Sequence, residues 1–187
     1  MILKNLNINN TLTLFLDRDG VINKRIIDDY VKKWEDFEFL PGVLDAFKIF
    51  AKNFDRIIIV SNQQGIGKKL MTENDVNIIH QKMIDKIIEN GGRIDKVYFC
   101  SSPAEENDIC RKPNIGMALK AARDFPDIDF NNSIMVGDAK TDMEFGRNLN
   151  MINVFLSDDD VLTNDVKHLF DYHFKNLYEF SLTFLKK

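Results

Sequence analysis

Short apolar runs that end in polar or acidic residues alternate along this chain with segments of helical period, and no other feature constrains the fold as much. The runs lie at residues 11–16, 56–60, 96–100, 133–136 and 151–156, with a shorter one, YHF, at 172–174. RIIIV at 56–60 is apolar throughout and rich in β-branched residues, as a strand covered on both faces should be. Strands and helices in this alternation predict a doubly wound parallel α/β sheet of Rossmann-like form.

The intervening segments read as helices. Leu44, Phe47 and Phe50 form one stripe after Pro41 and Gly42, so residues 43–52 pack on the sheet. Thr72, with Asp75 three residues on, predicts a capped helix whose Val76, Ile79, Met83, Ile84 and Ile87 share a face and which Asn90, Gly91 and Gly92 stop. Further helices are expected around 116–124 and through 143–149. In the tail, Leu177, Phe180 and Phe184 make a stripe read as core. Residues 24–39 mix charges with Tyr30, Trp34, Phe37 and Phe39 without a period and are expected to form a long loop or flap.

With 187 residues, 44% of them hydrophobic, and no repeat, low-complexity stretch or dividing linker, residues 1–187 suit a single domain with one core. The 25 basic and 29 acidic residues are scattered, so no nucleic-acid footprint appears. The start, MILKNLNINN, lacks the apolar core of a signal peptide, and no run approaches the ~20 apolar residues that span a bilayer. A cytoplasmic monomer without membrane contact is expected. Cys100 and Cys110 are too few for a disulfide framework and are expected to stay thiols in a reducing compartment unless a metal takes them.

In a doubly wound sheet, ligands sit beyond the carboxyl ends of the strands, and Asp17, Asp19, Ser61, Lys112, Asp138 and Asp142 all fall there. Asp17 and Asp19, two apart in the turn that follows the first run, repel each other; a raised pKa or a bound cation relieves this, and an acidic surface turn is the other reading. With Asp138 they supply hard oxygen ligands suited to Mg²⁺. Ser61 offers a hydroxyl and Lys112 a point charge for phosphoryl oxygens. Together these parts describe phosphoryl transfer. GIGKK at 65–69 lacks the glycine spacing of a nucleotide-binding loop, and His80, His168 and His173 lack ligand spacing and read as structural or solvated.

These residues resemble the four motifs of the haloacid dehalogenase superfamily phosphatases: DRDG at 17–20, Ser61, Lys112 and GD-x-x-x-D at 137–142, in that order over most of the chain. The resemblance implies that Asp17 is the nucleophile that forms an aspartyl-phosphate and that Asp19 is the general acid and base. It implies Mg²⁺ held by Asp17, Asp138 and the backbone carbonyl of Asp19, with Ser61 and Lys112 on the transferring phosphoryl. Asp142 would orient Lys112 or a metal-bound water; as a plain N-cap or first-turn acid it would do neither. The gaps between motifs are too short for a large cap domain.

The runs DRDGVIN, YVKKWEDFEFLPGV, SNQQGIGKK and CRKPNIGM further resemble the branch that removes the C7 phosphate from D-glycero-D-manno-heptose 1,7-bisphosphate, a small phosphorylated sugar. Related histidinol-phosphate phosphatases are the alternative. On this resemblance Asn62 and Arg111 contact substrate, Arg111 at the distal phosphate, with Asn23, Gln64 and Lys68 as further candidates. That branch usually carries a zinc loop, but this chain has Cys100, Ser102, Asp108 and Cys110 there, so zinc is not expected; hydrogen bonds and packing around Pro103 and Ile109 should hold the loop instead. Rivals from other classes are a phosphorylatable signalling receiver domain and a fold member that binds sugar phosphates without turnover.

Overall fold

The computed structural model describes residues 11–158 and 164–185, so the MILKNLNINN stretch read for a signal sequence lies outside the described residues. The apolar runs become six strands: β1 (Thr13–Leu16), β2 (Arg56–Asn62), β3 (Lys96–Cys100), β4 (Ser133–Gly137), β5 (Ile152–Leu156) and β6 (Tyr172–Phe174). All pair in parallel, in the order β3-β2-β1-β4-β5-β6. This is the doubly wound dinucleotide-fold order, not the 2-1-3-4-5 order of receiver domains, and it sets the receiver reading aside.

Among the described residues six α-helices make the crossovers and the close: α1 (Val43–Asn53), α2 (Glu73–Glu89), α3 (Gly116–Asp124), α4 (Lys140–Arg147), α5 (Asn164–Lys167) and α6 (Leu177–Leu182). Because successive strand residues face opposite sides, Leu14, Leu16, Ile57, Ile59, Ile134 and Val136 meet Phe47, Phe50, Ile79, Met83 and Phe180 on one face. Phe15, Ile58, Val60 and Met135 meet Met117, Ala121, Met143 and Phe145 on the other. Coverage of both faces explains why the strands read as continuous apolar runs, and each such buried side chain contributes about 1.5–3 kcal/mol.

Local chemistry fixes the boundaries. Thr72 and Asp75 exchange hydrogen bonds at the start of α2, Asp75 N–H to Thr72 Oγ1 at 3.2 Å and Thr72 N–H to Asp75 Oδ2 at 2.9 Å. Helix α4 begins before the apolar residues that suggested a start at Met143, because Asp142 accepts the Ala139 N–H at 3.0 Å and closes the first turn. Gly42, at φ 75°, starts α1 where a side chain would strike the ring of Tyr178, 2.7 Å away. The tail stripe is core: Leu177, Phe180 and Phe184 are all buried.

Leu16, the last residue of β1, pairs with Ile59 on one side and Val136 on the other, while β2 runs on to Asn62 and β4 to Gly137. The strand order reverses at β1, and there Asp17 emerges. Residues 24–39 form a strap with one short 3₁₀ turn (Trp34–Asp36). Its ends are tied by an Asn23–Phe39 bridge and by Lys24 N–H to Glu38 O at 2.8 Å. Stacked Trp34 and Phe37, with Phe39 edge-on, weight its far side against the core. Among the described residues nothing larger covers the strand ends.

Candidate active site

At the end of β1, Asp17 is nearly sealed from solvent and its Oδ1 accepts Lys112 Nζ at 2.7 Å. The same ammonium reaches Asp142 Oδ1 at 2.7 Å and the Val60 carbonyl at 2.7 Å, so all three of its protons have acceptors. Burial would lower the Lys112 pKa, but Asp142 and Asp17 outweigh it and the ammonium is held charged. Asp17 is pushed up to about 6, chiefly by burial, with Lys112 pulling down and Asp142 and Asp19 pushing up. One Asp142 carboxylate oxygen accepts the Ala139 N–H in the first turn of α4 and the other meets the Lys112 ammonium, so the capping contact and the contact with Lys112 coexist.

Asp19 is gripped from three sides. Arg18 Nη2 donates to both its oxygens at 2.9 and 2.8 Å, Asn23 Nδ2 to Oδ1 at 2.8 Å and Gln63 Nε2 to Oδ2 at 2.8 Å. Burial alone would raise this carboxyl, but the Arg18 charge and these hydrogen bonds prevail, and its pKa lies below the usual value. Arg18 is itself fully buried and bonds Nε2 of His80 at 3.0 Å. Burial first, then the Arg18 charge, lowers His80 to about 3, so the ring is neutral and accepts.

Arg18 and Gln63 carry no assigned role on the sequence alone, and the structure makes them the frame of Asp19. The signal was the flanking of Arg18 by two aspartates; its direction was not readable. Asn23, expected at substrate, is fully buried and belongs to the same frame. Ser61, expected on phosphoryl oxygens, is also fully buried, and its hydroxyl accepts from Gln63 Nε2 at 2.8 Å. The Asn23 amide nitrogen also donates to the Lys24 carbonyl at 3.0 Å, so both side chains are turned inward beneath the site.

Asp138 follows β4 and is pushed up to about 8, by burial first and then by Asp17 and Asp142, against the pull of Arg25 and Lys112. Its carboxylate fills the place a side chain would take at Gly20, which has φ 96°; this is why the first turn ends in glycine. Carboxylate oxygens of Asp17, Asp138 and Asp142 lie within 4.8 Å of one another. Arg25, from the strap, enters this cluster, Nη2 donating to Asp138 Oδ1 at 2.8 Å and to the Asp19 carbonyl at 2.9 Å. A cluster of hard oxygens that lifts its own pKa values and draws in a guanidinium suits a small divalent cation. Asp17, Asp138 and the Asp19 carbonyl, the ligand set that the sequence resemblance implies, turn their oxygens toward this cluster and could hold a divalent cation.

Around this floor opens a cavity of about 490 Å³, lined by Asp17, Asp19, Arg25, Tyr30, Lys68 and Arg111 among others. Gln64 and Asn62 also line it, but Asn62 spends its amide on the Lys112 backbone, donating to the carbonyl at 3.1 Å and accepting the N–H at 3.0 Å. It therefore sets the Lys112 loop. Lys68 donates to Tyr30 Oη at 3.2 Å, joining the loop after β2 to the strap. Thr141 and Ala139 complete the wall and were not foreseen.

Cys100 and Cys110 depart from expectation: they are joined in a disulfide, with Cα atoms 5.5 Å apart, inside the range that bridges without backbone movement. The expected free thiols are thereby corrected. Asp108 takes up the remaining polar groups of the loop, Ser102 Oγ at 2.7 Å and the Cys110 N–H at 2.8 Å. With the loop held this way Ile109 is exposed, contrary to its expected packing role, while Pro103 lies against Gly67. Arg111, next to the bridge, is steadied by donating to the Ser102 carbonyl at 3.1 Å. Among the described residues no helix is long and apolar enough to cross a membrane.

The family model described as polynucleotide kinase 3 phosphatase matches residues 13–173. The D-glycero-alpha-D-manno-heptose-1,7-bisphosphate 7-phosphatase of Campylobacter jejuni is 39% identical over 177 residues, 95% of this chain and 97% of that protein. The enzyme of the same name from Mycobacterium tuberculosis is 40% identical over 136 residues, 73% of this chain and 72% of the other. Among solved structures, D,D-heptose 1.7-bisphosphate phosphatase from B. bronchiseptica, complexed with magnesium and phosphate, superposes with a TM-score of 0.79 at 24% identity, covering 92% of this chain and 97% of that one. The family match over residues 13–173 and the C. jejuni relative, matched along nearly the whole of both chains, show that this chain belongs to the phosphatase family that includes the D-glycero-D-manno-heptose 1,7-bisphosphate 7-phosphatases.

Proposed function

We propose that the chain hydrolyses phosphomonoesters through an aspartyl-phosphate and that its substrate is D-glycero-D-manno-heptose 1,7-bisphosphate, losing the C7 phosphate. The chemistry rests on one observation above all: Asp17 at the cavity floor, bonded to a Lys112 that Asp142 holds in place. The substrate assignment is supported by the 39% identity with the C. jejuni enzyme along nearly the whole of both chains. In this reading the chain is a single domain, acting in the cytoplasm as a monomer on a small phosphorylated sugar.

Asp17 attacks phosphorus in line; the bond from phosphorus to the C7 oxygen breaks as the aspartyl-phosphate forms. Lys112 neutralises charge at the reacting oxygens without moving, since its other two protons are fixed by Asp142 and the Val60 carbonyl. Asp19 gives a proton to the departing oxygen and then takes one from the water that releases phosphate and restores Asp17. Held by Arg18, Asn23 and Gln63, it rests as a carboxylate, so to serve as an acid it leaves that grip and first takes a proton from solvent, and the proton it later draws from the attacking water returns to solvent. Mg²⁺, when bound, neutralises phosphoryl charge at the Asp17 and Asp138 carboxylates and the Asp19 carbonyl. Arg111 and Lys68, which line the same cavity as Asp17, suit the second phosphate of a bisphosphate.

The test is phosphate release with Mg²⁺ from both anomers of the heptose bisphosphate, from histidinol phosphate and from an aryl phosphate. A kcat/KM preference for the heptose of about a hundredfold or more is expected, together with loss of about ten-thousandfold or more in kcat for Asp17→Asn. Uniform turnover of the panel, or preference for histidinol phosphate, retires the heptose assignment. An active Asp17→Asn removes the nucleophile.

A further inference from the structure

The strap brings one cation into the acidic floor. Arg25 stands two residues beyond Asn23, whose amide is fixed on Asp19, so its backbone is anchored while its side chain remains half exposed. The guanidinium takes the Asp19 carbonyl through Nη2 at 2.9 Å and Nε at 3.3 Å, and Asp138 Oδ1 through Nη2 at 2.8 Å. Those are two of the atoms assigned above to Mg²⁺. Lys112 serves Asp17 and Asp142, and Arg18 serves Asp19, so among the described residues Arg25 is the cation left for Asp138.

We propose that Arg25 is an internal competitor for the divalent cation: it occupies the Asp138 and Asp19 donors and must leave them for the metal to bind. The inference rests on the Mg²⁺ site of the proposed function but not on the identity of the substrate. A guanidinium seated on these two oxygens opposes a metal ion beside it, because like charges in one small cluster repel. The apparent metal affinity is therefore the intrinsic affinity multiplied by the fraction of molecules in which Arg25 has withdrawn. On leaving, the guanidinium remains in the cavity wall with Lys68 and Arg111, where it adds positive charge facing an anionic substrate. Nothing needs to fold or unfold for the exchange, because a long side chain rotates about an anchored backbone.

Calorimetric titration of the substrate-free protein with Mg²⁺, and with Mn²⁺ as a second probe, reads this directly. Arg25→Gln is expected to bind both ions about tenfold or more tightly than the unaltered chain. Arg25→Lys, which keeps the charge but loses the fork that spans two acceptors, should fall between them. Asp138→Asn marks the site by removing most of the affinity. Unchanged or weaker binding in Arg25→Gln, with the fold intact by circular dichroism, overturns the proposal; should that variant fail to fold, an unaltered affinity in Arg25→Lys does so. Metal binding that survives Asp138→Asn instead removes the assigned Mg²⁺ site. A failed heptose preference touches neither result.

Discussion

Arg18 is the largest side chain wholly shut away from solvent among the described residues, and its charge is balanced by Asp19 while its far nitrogen rests on neutral His80. This arrangement makes His80 a pH-dependent element of stability. Unfolded, the imidazole takes a proton near 6.5; folded, it refuses one until about 3, so across that interval the unfolded state binds more protons and stability falls as pH falls. The contribution amounts to at most about 1.4 kcal/mol per pH unit. Replacing His80 by Gln keeps an acceptor for Arg18 without the titration, and urea unfolding on the acid side of neutrality should show a shallower loss in the variant. Equal slopes would mean that the ring is charged in the folded protein. At this scale Asp17 and Asp138 were legible because a charge at the end of an apolar run lands at a sheet edge, where ligands bind, whereas Lys112, in the loop after β3, and Asp142, inside α4, were legible only through the order of the motifs. Arg18, Gln63 and Arg25 were not: a buried arginine is an exception to composition rules, and spacing alone does not reveal that a residue between two aspartates turns inward.

The elements were more legible than their edges. β3 and α3 coincide with the expected segments, because KVYFC is bounded by polar residues and Pro126 follows α3 closely. α4 started early because its cap is a catalytic-site carboxylate, and the four-residue α5 was missed because it is too short to show a period. The loop from Cys100 to Cys110 was misread for a different reason: two cysteines ten apart reveal neither a bond nor its absence. Closing so short a loop contributes about 2–3 kcal/mol on chain-entropy grounds. Cys110→Ser, or a reductant added to the unaltered chain, is therefore expected to lower the denaturation midpoint and, through neighbouring Arg111, to raise KM for a bisphosphate more than it lowers kcat. Two free thiols counted by alkylation and mass measurement in the untreated protein would refute the bridge.

Across the whole molecule, the sheet order fixes where chemistry occurs, and the last helix fixes how firmly the sheet is closed. Phe180 of α6 meets Phe50, Phe174 and Phe184 with ring centroids 5.6, 5.5 and 5.2 Å away, joining the tail to α1. Phe180→Ala should cost about 3–5 kcal/mol in denaturant unfolding while leaving kcat of the folded fraction unchanged; a loss below about 1 kcal/mol would show that the tail is peripheral to the core. The overall architecture was readable because alternation of strand and helix and the rule of right-handed crossovers admit few topologies. The strap was readable only as an absence of period, yet it supplies Arg25 and Tyr30 to the cavity. Its two ends meet at the Asn23–Phe39 bridge, beside the turn that holds Asp17 and Asp19. Residues gained or lost between those ends shift no strand. A lineage carrying this scaffold is thus free to exchange one clientele of phosphate esters for another by rewriting a single pinched-off loop, with the reacting carboxylates left as they were.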